Sequence, residues 1–234
     1  MGKGKSSFDA WTEFLSTVPF ENRREEFLRD QYWIDTLPLP LTMSLKDAIR
    51  AAPPIEDWSA PYTLPALLDE PTLAKVMQEH QIRALDQPTI DAYLPVIQWL
   101  KWRVAEVLGA PWSILNVRSW TTKNGATEMG PNKWHRDGMP KEMFKLMIYL
   151  TQIGSNAGGI EFGINDEIIR QVHGPAGTWV LFYNSVLKHR GLAPTAEGVE
   201  RVASEITLVA SRQFDLVPVS LGRNARHALA PPKD

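Results

Sequence analysis

Trp134-His135-Arg136-Asp137-Gly138 is the stretch on which the reading of this chain turns. In extended backbone, side chains two residues apart point to the same face, so the His135 imidazole and the Asp137 carboxylate converge. A helix would set them about 200° apart, because each residue advances by about 100°. As a chelating pair they therefore require a strand or a strand end. A second imidazole from elsewhere completes a face of two histidines and one carboxylate, a donor set that suits divalent iron and leaves positions open. His189, in Lys188-His189-Arg190-Gly191, is the candidate. Read alone, His135 and Asp137 also make an ordinary surface pair, and His189 an ordinary turn histidine.

The surrounding texture favours strands. Ser113 to Thr122 alternates, with Ile114, Asn116, Arg118 and Trp120 on one face and Leu115, Val117 and Ser119 on the other. Lys123 to Lys133 reads as a glycine-bearing loop ahead of the His135 stretch. Met143 to Thr151 follows as a strand, with Lys145, Met147 and Tyr149 sharing a face. Asn156-Ala157-Gly158-Gly159 turns into Ile160 to Phe162, and Ile168 to Val172 is short. Pro175-Ala176-Gly177 turns into the apolar run Thr178 to Asn184, and Arg201 to Ala210 closes the series. Short strands separated by Gly, Pro and Asn turns indicate a sandwich or barrel rather than a wound parallel sheet.

The first half reads as helical and irregular. Phe8 to Val18 and Asn22 to Trp33 carry apolar residues at three and four spacings. Leu37-Pro38-Leu39-Pro40 should run extended, with a short helix from Ser44 to Ala52 capped by Ser44. Pro54 to Pro65 reads as loop, and Pro71 to Leu85 as helix. Gln87 to Leu108 has the strongest pattern, with Asp86 as N-cap, Pro88 in the first turn and Gly109 just beyond the end. Its face of Ile90, Tyr93, Leu94, Ile97, Leu100, Val104 and Leu108 should bury against something large, which makes this half a helical layer supporting a barrel. The expected organisation is a single domain over 1–234. Residues 1–111 form the helical support, 112–211 the β core and 212–234 a C-terminal tail.

Composition excludes several classes. The formal net charge of −2 with scattered acids and bases gives no basic field for nucleic acid or an anionic membrane. No run is long and apolar enough to span a bilayer. There is no cysteine, hence no disulfide, thiolate metal site or cysteine nucleophile, which fits a reducing, cytoplasmic setting.

The order of these features resembles the double-stranded β-helix, or jelly-roll, core of the 2-oxoglutarate/Fe(II)-dependent oxygenases, between the phytanoyl-CoA dioxygenase-like and prolyl-4-hydroxylase-like branches. Trp134-His135-Arg136-Asp137 resembles the first metal motif. Ile148-Tyr149-Leu150 followed by Gly158-Gly159-Ile160-Glu161-Phe162 resembles the next strand and glycine turn. Pro175 to Phe182 leading to His189-Arg190-Gly191 resembles the region that delivers the second histidine. Arg201, twelve residues after His189, resembles the arginine that pairs with the distal carboxylate of 2-oxoglutarate. The likeness spans about Trp112 to Ser211.

The resemblance implies an oxidoreductase in which His135, Asp137 and His189 hold Fe(II), and 2-oxoglutarate and O2 fill the open positions. Decarboxylation to succinate and CO2 would then drive attack on a substrate C–H bond, in a small molecule or an amino-acid or peptide side chain. Arg201 suits the far carboxylate because a planar guanidinium binds it bidentately. Tyr149 and Arg118 are assigned to the cosubstrate by face and position, Asn116 and Arg118 serving equally for substrate. Each has a plainer reading: Arg201 in a surface ion pair with Glu200 or Glu197, Tyr149 as barrel filling, Arg118 as structural. Arg190 should project away from His189, His173 is not a ligand, and His80 and His227 read as surface. Iron halogenases of this superfamily replace the carboxylate ligand with a small residue; the presence of Asp137 favours hydroxylation, desaturation or ring chemistry. The alternatives are a cupin-like metal isomerase, which would show His-x-His followed closely by Glu, and a non-catalytic jelly-roll binding module.

Overall fold

The computed structural model describes residues 21–54, 79–126, 132–164 and 168–219. Helix α1 (Glu21–Asp30), strand β1 (Tyr32–Thr36) and helix α2 (Leu39–Ala51) lead to β2 (His80–Arg83) and the long helix α3 (Gln87–Leu108). The remaining strands are β3 (Trp112–Lys123), β4 (Met143–Tyr149), β5 (Gly159–Ile164), β6 (Ile168–Gln171), β7 (Thr178–Phe182), β8 (Lys188–Leu192) and β9 (Glu200–Ala210). They form a six-stranded sheet in the order β1-β7-β4-β9-β3-β2 and a three-stranded sheet in the order β6-β5-β8. Every pairing within the two sheets is antiparallel. This is the jelly roll, with helices on the outer face of the larger sheet.

Helix α3 forms where its signals place it. The Asp86 carboxylate accepts from the Thr89 backbone N–H at 3.0 Å, and Gly109 ends the helix at φ 67, a left-handed conformation natural to glycine. Tyr93, Val96, Ile97, Leu100 and Val104 are buried against the sheet together with Leu45 and Ile49 of α2 and Phe27 of α1. From the sheet, Val117, Leu146, Ile148, Leu181, Ile206 and Leu208 face them. A second apolar cluster lies between the sheets: Tyr32, Met147, Tyr149, Val180, Phe182 and Ala203 on one side, Ile160 and Phe162 on the other. Leu94 leaves the expected helix face and is 44% exposed, because it follows the buried Tyr93 by about 100° of rotation.

Several boundaries differ from the sequence expectation. The helix expected over Asn22 to Trp33 stops at Asp30; Gln31 turns at φ 64, and Tyr32–Thr36 pairs with β7. Cross-strand hydrogen bonds, invisible to local periodicity, decide that segment. Pro38 is extended as expected, but α2 begins at Leu39 with Pro40 in its first turn, where a missing N–H costs nothing. Ser44 is therefore inside the helix and not its cap. His80–Arg83, expected as the end of a helix, is a strand paired with β3. Residues 71–78 of that expected helix, the Phe8 to Val18 helix and all but Pro54 of the Pro54 to Pro65 loop lie outside the described residues. In β3 a bulge between Ile114 and Asn116 reverses the alternation. Ile114 consequently joins the helix-facing core with Val117, while Asn116, Arg118 and Trp120 keep the face toward the second sheet. Among the described residues no helix is long and apolar enough to cross a membrane.

Candidate metal centre

His135 and His189 are a hydrogen-bonded cross-strand pair. The His135 N–H donates to the His189 carbonyl at 3.0 Å and the reverse bond is 2.9 Å, so both rings emerge on one face with centroids 4.3 Å apart. Two residues on, the Asp137 N–H donates to the Asn184 carbonyl at 2.9 Å. One ligand atom each from His135, Asp137 and His189 then falls within 4.8 Å of the others. The bridge at His135 is isolated, and Asp137 lies two residues beyond it, outside any strand.

Both rings are oriented by the same device. Nδ1 of His135 donates to the Lys133 carbonyl at 2.7 Å, and Nδ1 of His189 to the Leu187 carbonyl at 2.8 Å. A carbonyl only accepts, so each Nδ1 carries a proton and Nε2 is the nitrogen left to serve as a ligand atom. Burial, reinforced by the nearby Lys145 ammonium, lowers the His189 pKa to about 4, which keeps that ring neutral near pH 7. His135 Nε2 lies 3.5 Å from Asp137 Oδ1. Two imidazole nitrogens with one carboxylate oxygen fit a divalent first-row metal.

Asp137 is buried, which alone would disfavour its charge. Lys145 Nζ lies 2.6 Å from its Oδ2, and its charge together with the His135 and His189 rings outweighs the burial, holding the carboxyl well below the usual carboxylate range. Asn184 Nδ2 donates to the same Oδ2 at 3.0 Å. Lys145 also reaches Glu205 Oε2 at 3.2 Å, and Arg118 binds Glu205 Oε1 across the register of β3 and β9. Burial opposes the Lys145 charge, but Glu205 and Asp137 restore it and raise its pKa. The four groups form an alternating chain of charges inside the barrel: Arg118, Glu205, Lys145, Asp137.

Farther along the inward row of β9 stands Arg201, 4% exposed. Its guanidinium donates to the carbonyls of Gly159 and Leu192 and to Thr122 Oγ1 at 3.2 Å. Among the described residues its Nε has no hydrogen-bond partner, and burial lowers its pKa with no described carboxylate among the causes. The surface ion pair with Glu200 or Glu197 does not form; Glu200 pairs instead with Arg50 at 3.1 Å. Tyr149 shares the inward face of β4 with Lys145 and Met147, and burial raises its phenol pKa against the nearby Arg201 charge.

Of the six candidates, the structure groups His135, Asp137 and His189 at one end and sets Arg201 near Tyr149 at the other. Arg118 is committed to Glu205. Arg190 leans away from the centre, onto Glu161 at 2.7 Å and over the Trp134 ring. His80 corrects the surface reading: its Nδ1 is 3.2 Å from Thr122 Oγ1, and burial first, then Arg201, lowers its pKa to about 4. Sequence reasoning missed Lys145, Glu205 and Asn184 as neighbours of Asp137. The signal available was Lys145 and Glu205, charged residues on strands whose neighbours are apolar.

The sequence matches no protein-family model and no curated protein. Solved structures match the fold. An α-ketoglutarate-dependent epimerase, SnoN, solved with Fe3+, α-ketoglutarate and nogalamycin RO, aligns at TM-score 0.57 and 11% identity, covering 87% of this chain and 96% of that one. A Pseudomonas putida prolyl-4-hydroxylase aligns at TM-score 0.54 and 16% identity over 83% and 100%. EctD from S. alaskensis, solved with 2-oxoglutarate and 5-hydroxyectoine, aligns at 0.53 and 19% over 86% and 80%. At these identities the likeness establishes the fold. This chain is a jelly roll of the kind found in the 2-oxoglutarate-dependent oxygenases.

Proposed function

We propose that the protein is a non-haem Fe(II), 2-oxoglutarate-dependent oxygenase that hydroxylates a C–H bond of a small molecule or of an amino-acid or peptide side chain. The observation that carries this reading is Arg201, a buried guanidinium whose described partners are only carbonyls and a hydroxyl. A buried charge is costly unless paired, and this one lies on the inward row of the barrel whose other end carries the His135, Asp137 and His189 donors. A dianionic cosubstrate with one carboxylate at the metal and the other at Arg201 satisfies both ends.

In this reading His135, Asp137 and His189 would hold iron and leave it able to take further ligands. The bound metal and 2-oxoglutarate supply the oxidative decarboxylation that releases succinate and CO2 and activates O2. The protein supplies position and electrostatics. Arg201 fixes the far carboxylate bidentately, and the Tyr149 hydroxyl is the neighbouring donor. Phe162, Phe182 and Val180 keep the floor apolar, which strengthens every charge interaction above it. Asp137, a full carboxylate, occupies the ligand position that an iron halogenase leaves to halide, which supports hydroxylation. The Asp137 carboxylate also departs from the His-x-His and Glu set of a cupin-like isomerase.

The test is conversion of 2-oxoglutarate to succinate with Fe(II) and ascorbate, together with Fe(II)-dependent 2-oxoglutarate binding. Wild type should bind and turn over slowly without added substrate. His135→Ala should lose both, and Arg201→Ala should recover turnover only at 2-oxoglutarate concentrations on the order of 100-fold higher, as expected for a lost bidentate charge pair. Absence of both succinate and Fe(II)-dependent binding in wild type would sink the proposal in favour of a binding module.

A further inference from the structure

We propose that Lys145 is a positioning residue that restricts Asp137 to ligating through one oxygen, a role that rests on the metal centre proposed above. The two Asp137 oxygens have different surroundings. Oδ1 lies 3.5 Å from His135 Nε2, on the side where the ligand atoms converge. Oδ2 is taken twice, by Lys145 Nζ at 2.6 Å and by Asn184 Nδ2 at 3.0 Å. A carboxylate free to rotate can chelate one metal with both oxygens. Here the second oxygen cannot turn toward the metal without breaking a charge-assisted hydrogen bond in a buried site, where such bonds are strong.

Lys145 is itself fixed. Its side chain is 11% exposed, and Glu205 Oε2 holds it at 3.2 Å from the other side. Glu205 is in turn held by Arg118. The clamp is therefore braced from β9 and β3, strands that carry no metal ligand, and Asn184 holds the same oxygen from the end of β7. Outer partners of this kind set how a ligand presents itself to its metal. The consequence is a count of open positions. One-oxygen ligation by Asp137 with two histidines leaves about three positions on an octahedral ion, whereas two-oxygen ligation leaves about two. A chelating cosubstrate and O2 together need three.

The count is measurable with Mn(II) as the probe. Water-proton relaxation of the Mn(II)-loaded full-length protein reports the number of exchangeable waters on the metal. Wild type should show about three, and Lys145→Met about one fewer, with 2-oxoglutarate binding to the Mn(II) form weakened on the order of tenfold. Mn(II) affinity should not fall, since a repelling ammonium has been removed. Lys145→Met alone strands Glu205 opposite only Arg118. The double variant Lys145→Met with Glu205→Gln removes both charges, which buried pairs tolerate better than the loss of one partner; it should show the same reduced water count. A wild-type water count in whichever variant folds overturns the proposal. So does a loss of Mn(II) affinity and melting temperature with the count unchanged, which would mark Lys145 as merely structural. Mn(II) binding that survives His135→Ala removes the metal centre itself, a separate failure that takes the clamp with it.

Discussion

The two faces of the larger sheet are built on opposite principles. The face toward α2 and α3 is apolar and close-packed, and a polar group there, the Tyr93 hydroxyl, is satisfied by Ser119 at 2.7 Å and by Ser204. The inner face carries Arg118, Lys145, Glu205 and Arg201, with Glu205 and Arg201 buried and Arg118 and Lys145 partly so. Burying charges is a poor way to stabilise a fold, since well-packed apolar residues do as well or better. The helix-facing side stabilises the fold; the inner side retains costly groups that the proposed metal and cosubstrate would require.

Substitutions separate the two faces. Glu205→Ala should have the largest effect on stability, about 3–5 kcal/mol by denaturant unfolding, because Arg118 loses its acidic partner and Lys145 one of two. It should also disturb metal and 2-oxoglutarate binding. Leu100→Ala, at a fully buried position between α3 and the sheet, should cost about 2–5 kcal/mol by the same measurement. Its Mn(II) affinity should stay at the wild-type value; a shift would show that the two faces are not independent.

His80 gives a pH-dependent version of the comparison. Its pKa is lowered from 6.5 to about 4 in the fold, so between those values the unfolded chain binds the extra proton and the folded chain does not. Stability should therefore fall as pH drops from about 6.5 to about 4, by up to about 3 kcal/mol from this group. In His80→Gln that slope should flatten while stability at pH 8 stays close to its own pH 7 value. The smallest effect is expected at Asp86→Ala, about 1 kcal/mol from loss of the α3 N-cap, with no change at the metal centre.

What was legible in the sequence was local. His135 and Asp137 share a face because a strand has period two, and the helix α3 announced itself through Asp86, Pro88 and Gly109. His189 and Arg201 were legible through the order of strands around them. The chain from Arg118 through Glu205 and Lys145 to Asp137 was not, because it depends on the registers of β3, β9 and β4, and the bulge at Ile114 to Asn116 shifts one of them. β1 and β2 were hidden for the same reason. Tyr32–Thr36 and His80–Arg83 are strands only because β7 and β3 offer them hydrogen bonds. His80 was misplaced with its strand.

The reciprocal backbone bonds between His135 and His189 would make the proposed metal centre a proofreader of strand register. A slip of one residue would keep the backbone pairing but send one imidazole to the opposite face. Such a misaligned chain would hold no metal. Because only the correct alignment binds, metal present during refolding should draw chains into it by mass action, in proportion to its concentration over the dissociation constant. Metal content per molecule would then measure the fraction of correctly aligned protein in a preparation.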